Sequence, residues 1–298
     1  PRDAIEEEMD AFPIRDSDTL MPFDLVGGQN KQIWITVKVP DDAAPGRYAG
    51  DLVFKTGDGE IARVELGVRV LPFLLPAPKT HYDLNQDYTA GFYYRGRLDP
   101  AGKGKVGYVA KSEAQLRVEL KMMFDHGIVA PLLCPPVWGP PEALFRRELQ
   151  IMRETGMAGR PLYLGRGMGN ATEKEKLAEI QSYVRQRIAL ARQYGFTEVY
   201  FYGRDEAGGE ALYSQIPTWQ AVREAGGKMH VSLTHQWRDK APDVLDLAIA
   251  AGWPSRELAA ARHRLGHKLS AYWLWTKNHD PLMFRRNHGL YLWSHDYD

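Results

Sequence analysis

The chain has 298 residues, 44% of them hydrophobic, so it has room for one large globular domain or for two smaller ones. Its 38 Lys and Arg residues balance its 38 Asp and Glu residues, and a neutral chain without basic runs is not expected to bind nucleic acid or anionic membranes. The single cysteine, Cys134, can form no intrachain disulfide, and no apolar stretch is long enough to span a membrane.

The N-terminal part of the chain has the two-residue period of β-strands. Alternating apolar side chains predict three strands, over residues 33–39, 47–55 and 61–70. Gly57-Asp58-Gly59 predicts the hairpin loop between the last two. Three strands cannot close a β-sandwich, so residues 1–76 are expected to form an N-terminally truncated antiparallel sandwich domain.

A proline-rich linker follows this domain. Pro72, Pro76 and Pro78 come in close succession, and each proline removes a backbone donor and restricts the residue before it. Such a stretch is a poor continuation of a strand or helix. We therefore place the domain boundary near Pro76.

Residues 77–298 alternate short apolar runs with amphipathic helices, which is the pattern of βα units in a parallel sheet. Eight runs predict strands, at residues 82–88, 128–134, 161–164, 197–202, 228–233, 244–250, 268–275 and 289–293. Two of the predicted helices begin at capping boxes, Ser112 with Gln115 and Thr172 with Glu175. Eight repeats over about 220 residues predict a (β/α)8 barrel without its last helix, so the C-terminus is expected to be truncated as well.

The alternative architecture is an open, doubly wound sheet of the kind that binds dinucleotides. The stretch from Gly165 to Asn170 is rich in glycine, but it lacks the third glycine of the dinucleotide fingerprint at the required offset. The barrel is therefore the preferred prediction.

Aromatic and polar side chains follow the predicted barrel strands. Active sites of such barrels form at the carboxyl ends of the strands, so these residues are expected to share one surface. The candidate substrate-binding residues are Asn85, Asp87, Tyr202, Arg204, His235, Trp237, Tyr272, Trp273, Trp275 and Trp293, with Trp138 and Trp253 at the same rim. Aromatic faces stack on sugar rings and polar groups bind hydroxyls, so this set predicts a carbohydrate cleft. The alternative is that the tryptophans only cover the barrel core.

Asp205 and Glu206 are the candidate catalytic residues. They come directly after a buried strand, which is expected to end at Gly203 so that both side chains can face the cleft. A glycosidase uses either two separate carboxylates or a carboxylate pair that assists a 2-acetamido group of the substrate. The stretch from Tyr272 to Asn278, at the end of the seventh predicted strand, contains no carboxylate, so the adjacent pair favours substrate assistance.

Other catalytic patterns have little support. His263 and His267 are four residues apart but lack the adjacent glutamate of a zinc-binding helix. Cys134 has no histidine near it in the sequence, and no Gly-x-Ser-x-Gly motif is present. We expect neither a metal nor another cofactor.

Several stretches resemble glycoside hydrolase family 123 and its relatives. Residues 34–40 followed by 45–50 are similar to the sandwich of that family, residues 202–206 to its strand-four motif, and residues 285–293 to its late strand. The similarity spans most of the chain. The sequence departs from the family pattern at Arg204 and Ala207.

The resemblance implies a reaction and a role for each carboxylate. Members of the family are exo-acting β-N-acetylgalactosaminidases on glycosphingolipid-type glycans, and they use substrate-assisted retention. By this resemblance Asp205 orients the acetamido group and Glu206 is the general acid. The expected substrate is a glycan with a terminal β-linked N-acetylhexosamine, and the expected location is periplasmic or extracellular. A glycan-binding protein without catalysis and a glycosidase of different sugar specificity stay open as alternatives.

Overall fold

A computed structural model describes residues 19–33, 35–99, 110–133, 142–272 and 281–298. The predictions for Trp34, Cys134, Trp138, Trp273 and Trp275 fall outside these residues. The chain divides into two compact units, with the division between Ala77 and Pro78.

The unit before Pro78 contains an antiparallel hairpin. Strands β1 (Gly46–Thr56) and β2 (Gly59–Val70) pair with each other, with Leu52 opposite Val64. The second and third strands predicted from the sequence are therefore confirmed. The strand predicted over 33–39 is wrong for the described residues, which form no ladder there. Alternation determines which side chains share a face, but a strand also needs a neighbour with which to pair.

The unit from Pro78 onwards is built on a parallel sheet. Its strands are β3 (Tyr93–Tyr94), β4 (Arg97–Leu98), β5 (Ala110–Lys111), β6 (Leu132–Leu133), β7 (Leu162–Gly167), β8 (Val199–Tyr202), β9 (Lys228–Leu233), β10 (Leu247–Ala251) and β11 (Lys268–Tyr272). Within the described residues, seven of them form one parallel sheet in the order β3-β6-β7-β8-β9-β10-β11. Strands β4 and β5 pair separately.

This strand order excludes the doubly wound alternative for the described sheet. A doubly wound sheet reverses its strand order at a switch point, whereas here spatial order follows chain order from β3 to β11. A fixed direction of crossover places the connecting helices on one face of the sheet. The other face is then free to form the inside of a curl.

Helices connect the strands. They are α1 (Glu113–Asp125), α2 (Glu142–Thr155), α3 (Lys174–Gln193), α4 (Glu210–Tyr213), α5 (Ile216–Glu224), α6 (Arg256–Arg264), α7 (Pro281–Phe284) and α8 (Leu292–Ser294), with a 3-10 turn at Arg238–Lys240 and a π-helical segment at Arg285–Tyr291. None of the described helices combines the length and the apolar composition that crossing a lipid bilayer requires.

One predicted helix cap is confirmed and one is wrong. The Ser112 hydroxyl accepts the backbone N–H of Gln115 at 3.3 Å, at the start of α1. Thr172 does not cap α3, because that helix has Glu173 at its N-cap position and no side-chain capping bond. A cap residue must occupy the N-cap position for its oxygen to reach the first turn, and Thr172 lies one residue too early.

Two of the eight predicted strands of the barrel are wrong. Residues 82–88 form a turn, in which the Asp83 carboxylate accepts the N–H of Asn85 at 2.9 Å. Such local bonds of Asp and Asn compete with strand formation. Residues 289–293 are helical, and a five-residue apolar run does not distinguish a strand from a helix. The other six predictions each overlap an observed strand.

The two faces of the seven-stranded sheet differ in chemistry. The face toward the helices is apolar and contributes core residues including Leu162, Leu164, Val199, Phe201, Met229, Val231, Leu233, Ala248 and Leu269. The opposite, inner face carries hydroxyl groups and rings: Tyr93, Tyr163, Tyr200, Tyr202, His230, Ser232 and Tyr272. Barrel interiors are usually filled by branched aliphatic side chains, so this inner face is unusually polar.

A hydrogen bond across the inner face shows that the sheet is curled. Tyr93 on β3 and Ser232 on β9 are four strands apart, which would be about 19 Å in a flat sheet. Their hydroxyl oxygens are 2.5 Å apart. The described sheet is therefore a curled half-barrel, and its curl brings side chains from distant strands together at one edge.

Candidate active site

Asp205 and Glu206 lie just beyond the carboxyl end of β8, and both are exposed. The strand ends at Tyr202, and the N–H of Gly203 still bonds the carbonyl of His230 at 2.9 Å. The expectation that the strand ends before the pair is therefore confirmed. Glu206 has φ +50°, a left-handed conformation that is uncommon for residues other than glycine.

A tyrosine on β8 holds Asp205. The Tyr202 hydroxyl donates to Asp205 Oδ1 at 2.6 Å. Burial, the nearby Tyr93 and the bond to Asp205 raise the pKa of Tyr202 above its ordinary value. The phenol therefore keeps its proton at neutral pH and acts as a fixed donor.

A tyrosine on β11 holds Glu206. The Tyr272 hydroxyl donates to Glu206 Oε1, and the backbone N–H of Glu206 donates to the carbonyl of Ser232 at 3.1 Å. Burial and the bond to Glu206 raise the pKa of Tyr272, so this phenol also keeps its proton. Glu206 is thus fixed through both its side chain and its main chain.

The second oxygen of each carboxylate is not engaged by the described residues. Asp205 Oδ2 and Glu206 Oε2 make no hydrogen bond within that part of the chain. Both residues are exposed, and within the described residues these two oxygens keep their capacity to bind a ligand. The arrangement offers two adjacent acid groups, each held at one oxygen and open at the other.

The loop on either side of the pair has its own supports. The Gln215 side chain accepts the N–H of Arg204 at 2.6 Å, so the turn into the pair is fixed from the α4–α5 connection. After the pair, the Trp237 indole fills the space beside Gly208, where a Cβ would lie 2.1 Å from its Nε1 atom. Trp237 therefore packs under the loop, and Gly208 is required for that close approach.

Two further candidates lie at the same edge of the sheet. Arg204 is exposed immediately before the pair. His235 is exposed after β9, and its ring lies beside Gly252, which follows β10. No described contact joins His235 to either carboxylate, so its part in substrate binding stays a prediction.

The turn that carries Asn85 and Asp87 packs against the C-terminal residues. Asp87 pairs with Lys79, with Oδ1 and Nζ 2.5 Å apart, and Asn85 bonds Asp83. The Trp293 indole N–H donates to the carbonyl of Lys79 at 2.9 Å. These three candidates therefore belong to one cluster.

Part of that cluster contacts the first half of β11. Tyr82, from the same turn, bonds the side chain of Asp298, which accepts the N–H of Leu269 at 2.8 Å. Leu269 is three residues before Tyr272, which is about 10 Å along β11. Tyr272 is the residue that reaches the catalytic pair. The strands expected to position Asn85, Asp87 and Trp293 are not observed, and no described contact joins these residues to the pair, so their part in substrate binding stays a prediction.

Two hydroxyl residues at the site were not among the predicted candidates. Tyr93 lies on β3, outside the stretch predicted as the first strand, and Ser232 lies inside β9. Ser232 Oγ is 2.8 Å from the Tyr202 hydroxyl and 2.5 Å from that of Tyr93. Alternation puts Ser232 on the face of His230, but only the curl of the sheet shows what it contacts.

Comparisons with known proteins return distant structural likenesses only. No family model and no curated protein match the sequence. Solved structures with similarity include a β-glucuronidase from Parabacteroides merdae (13% identity, TM-score 0.35, 76% of this chain and 29% of that one) and a β-glucuronidase from Ruminococcus gnavus (11%, 0.36, 75% and 41%). A D-allulose 3-epimerase from Methylomonas sp. is similar over 71% of this chain and 91% of its own, at 11% identity and a TM-score of 0.33. The chain thus spans less than half of either glucuronidase, and likenesses at these scores assign neither a family nor a substrate.

Proposed function

We propose that the protein is a glycoside hydrolase that releases a terminal β-linked N-acetylhexosamine, N-acetylgalactosamine in particular, by substrate-assisted retaining hydrolysis. The observation that carries the proposal is the geometry of Asp205 and Glu206. Each carboxyl group is held at one oxygen by a tyrosine from the sheet and is open at the other. Two fixed acid groups at one place are what this reaction requires.

In the first step the substrate supplies the nucleophile. The oxygen of the 2-acetamido group bonds to the anomeric carbon, and the bond from that carbon to the aglycone oxygen breaks. Glu206 gives the departing oxygen its proton as general acid. Because Tyr272 occupies Oε1, we place the proton on Oε2, which has no hydrogen-bond partner among the described residues.

Asp205 acts on the charge that develops in this step. The acetamide N–H donates to Asp205 Oδ2, which orients the acetamido oxygen for attack and stabilises the positive oxazolinium ring. Tyr202 keeps the carboxylate in place through Oδ1. A fixed carboxylate needs little reorganisation as the charge appears, and this is where electrostatic catalysis contributes most.

The second step uses the same groups in reverse. Glu206 takes a proton from water, the water oxygen bonds to the anomeric carbon, and the bond from that carbon to the acetamido oxygen breaks. Two successive inversions at the carbon give net retention. The step returns Glu206 to its protonated form.

The proposal includes the architecture and the location. We infer that the curled sheet belongs to a (β/α)8 barrel and that the hairpin of β1 and β2 belongs to a β-sandwich. Both inferences follow from the strand order and from the antiparallel pairing. A substrate of glycoconjugate type is most accessible outside the cytoplasm, and we propose a periplasmic or extracellular site of action.

A panel of nitrophenyl sugars tests the function. We expect hydrolysis of 2-acetamido β-galactosides, and inhibition by a thiazoline that mimics the oxazoline intermediate. Plain β-galactosides should not be cleaved, because they lack the internal nucleophile. Asp239→Asn is the control for variants of Asp205 and Glu206, because Asp239 is an exposed acid elsewhere at this edge. It should be as active as wild type.

Two results would contradict the proposal in different ways. Equal cleavage of plain and 2-acetamido galactosides would indicate a glycosidase that does not use substrate assistance. Tight binding of a glycan, measured by calorimetry, with no cleavage of any sugar in the panel would indicate a binding protein.

A further inference from the structure

Three hydroxyl groups form a chain that ends on Asp205. Tyr93 Oη lies 2.5 Å from Ser232 Oγ, Ser232 Oγ lies 2.8 Å from Tyr202 Oη, and Tyr202 Oη lies 2.6 Å from Asp205 Oδ1. A longer contact of 3.2 Å joins the two tyrosines directly. Ser232 is therefore the middle member of the chain.

Counting protons gives the chain a direction. A carboxylate only accepts, so the single proton of the Tyr202 hydroxyl is committed to Asp205. The Ser232 hydroxyl must then donate to Tyr202, which leaves its own oxygen to accept from Tyr93. All three donors point toward Asp205, and hydrogen bonds aligned in this way strengthen one another.

Ser232 also holds the other acid through its main chain. Its carbonyl oxygen accepts the N–H of Glu206 at 3.1 Å, and this bond fixes a residue in the left-handed conformation. One residue of β9 thus contacts the tyrosine that holds Asp205 and the main chain of Glu206. Its side chain is buried, at 1% exposure, so water does not replace its hydroxyl.

We propose that Ser232 is a positioning residue that holds Asp205 in place through Tyr202. The expected effect on catalysis rests on the proposed function. The placement of the Asp205 side chain by Ser232 does not. Without the serine hydroxyl, the Tyr202 oxygen loses the buried donor on β9 that fixes its position, although its proton still has only Asp205 as a charged acceptor. Asp205 then loses its fixed orientation.

A double-mutant cycle tests the inference. Ser232→Ala removes the hydroxyl but keeps the carbonyl, so it isolates the link to Asp205. We expect kcat to fall about 10-fold on nitrophenyl and natural glycosides alike, because one buried hydrogen bond is lost. Tyr202→Phe, which removes the donor itself, should lower kcat by about 10- to 100-fold.

The double variant gives the decisive value. If Ser232 acts through Tyr202, adding Ser232→Ala to Tyr202→Phe should change kcat by less than about twofold. If the two residues acted independently, the fold-losses in kcat of the two single variants would multiply in the double variant. That result would overturn the inference. A control is Ser270→Ala: Ser270 is in register with Ser232 through Ile249, and its side chain makes no hydrogen bond within the described residues. It should keep wild-type kcat.

A crystal structure of Ser232→Ala decides the matter independently of activity. We expect the Tyr202 hydroxyl to leave Asp205 Oδ1 and the Asp205 side chain to adopt a second rotamer. An unchanged bond of 2.6 Å in a variant with wild-type kcat would refute the role of Ser232. If the wild-type protein cleaves no sugar, the proposed function fails and the crystal structure alone tests the placement.

Discussion

The inner and outer faces of the curled sheet are made from alternate residues of the same strands, yet they have different consequences for the protein. On β8 the outward Phe201 packs against Tyr183 of α3, while the inward Tyr202 bonds Asp205. The outer face excludes water with apolar side chains, and this removal of apolar area drives folding. The inner face holds hydroxyl groups that orient two acids.

This difference implies that stability and activity can be changed separately. Shortening a side chain of the apolar core should lower stability without changing the chemistry at the acids. Neutralising an exposed acid should lower activity without destabilising the core. A variant that changes stability and activity equally would argue against this separation of the two faces.

The largest effect is expected for Glu206→Gln at the inner edge. Without a general acid, hydrolysis of natural glycans should fall by about 100- to 10,000-fold, because their leaving group needs a proton. Nitrophenyl sugars have a good leaving group, so the first step, reported by kcat/KM, should retain most of its rate on them. Steady-state kinetics on both substrate types measures the contrast, and equal losses on the two would show that Glu206 is not the acid.

Asp205→Asn should reduce activity on both substrate types. The amide is isosteric but neutral, so it no longer stabilises the oxazolinium charge, and a loss of about 100- to 1,000-fold is expected. The thiazoline inhibitor should bind more weakly for the same reason. Near wild-type rates would remove Asp205 from the mechanism. The unfolding midpoint should stay unchanged, since Asp205 is exposed.

Phe201→Ala tests the outer face. Phe201 is 1% exposed and lies against Gly227, where a Cβ would be 2.8 Å from its ring. Removing the ring should lower the free energy of unfolding by about 3–5 kcal/mol, as measured in urea. Phe201→Leu, the matched control, keeps most of the volume and should cost less than about 1.5 kcal/mol. The kcat per folded molecule should change by no more than a few-fold in either variant. A larger loss of kcat in molecules that are still folded would mean that the two faces are coupled.

His230 on the inner face should make stability depend on acid pH. Burial lowers its pKa from 6.5 to about 4, against the opposing bond to the carbonyl of Leu164. The folded state therefore favours the neutral ring, and its contribution is complete above pH 6.5 and lost as the pH falls toward 4. The loss should reach about 3 kcal/mol at most. Urea unfolding at pH 5 and pH 8 should show a smaller difference in His230→Gln than in wild type.

Glu148, on the helix side, should make the free energy of unfolding depend on pH in the opposite direction. Burial raises its pKa from 4.5 to about 7, although it accepts the N–H of Leu98 at 2.6 Å and lies near Arg97. The folded state favours the neutral acid, so this contribution is complete below pH 4.5 and declines as the pH rises through 7. Glu148→Gln should flatten that decline, which should be about 3 kcal/mol or less in wild type. A steeper decline in the variant would contradict the assignment.

Sequence patterns predicted the structure correctly where each pattern is compatible with only one type of secondary structure. The strand over 228–233 and the hairpin strands agree with the structure, because each has a clear period and a glycine turn or helix beside it. The patterns failed at 82–88 and 289–293, where local hydrogen bonds and ambiguous periodicity decided otherwise. These two errors assigned Asn85, Asp87 and Trp293 to strands that the structure does not contain.

Local residue order is enough to predict the alternation of the strands, the end of β8 just before Gly203 and the two adjacent acids beyond it. Side-chain period and glycine placement are local properties. Which residues hold those acids depends on the tertiary fold. Tyr93, Ser232 and Tyr272 are far apart in the chain and on different strands, and only the curl of the sheet brings their hydroxyl groups to one edge.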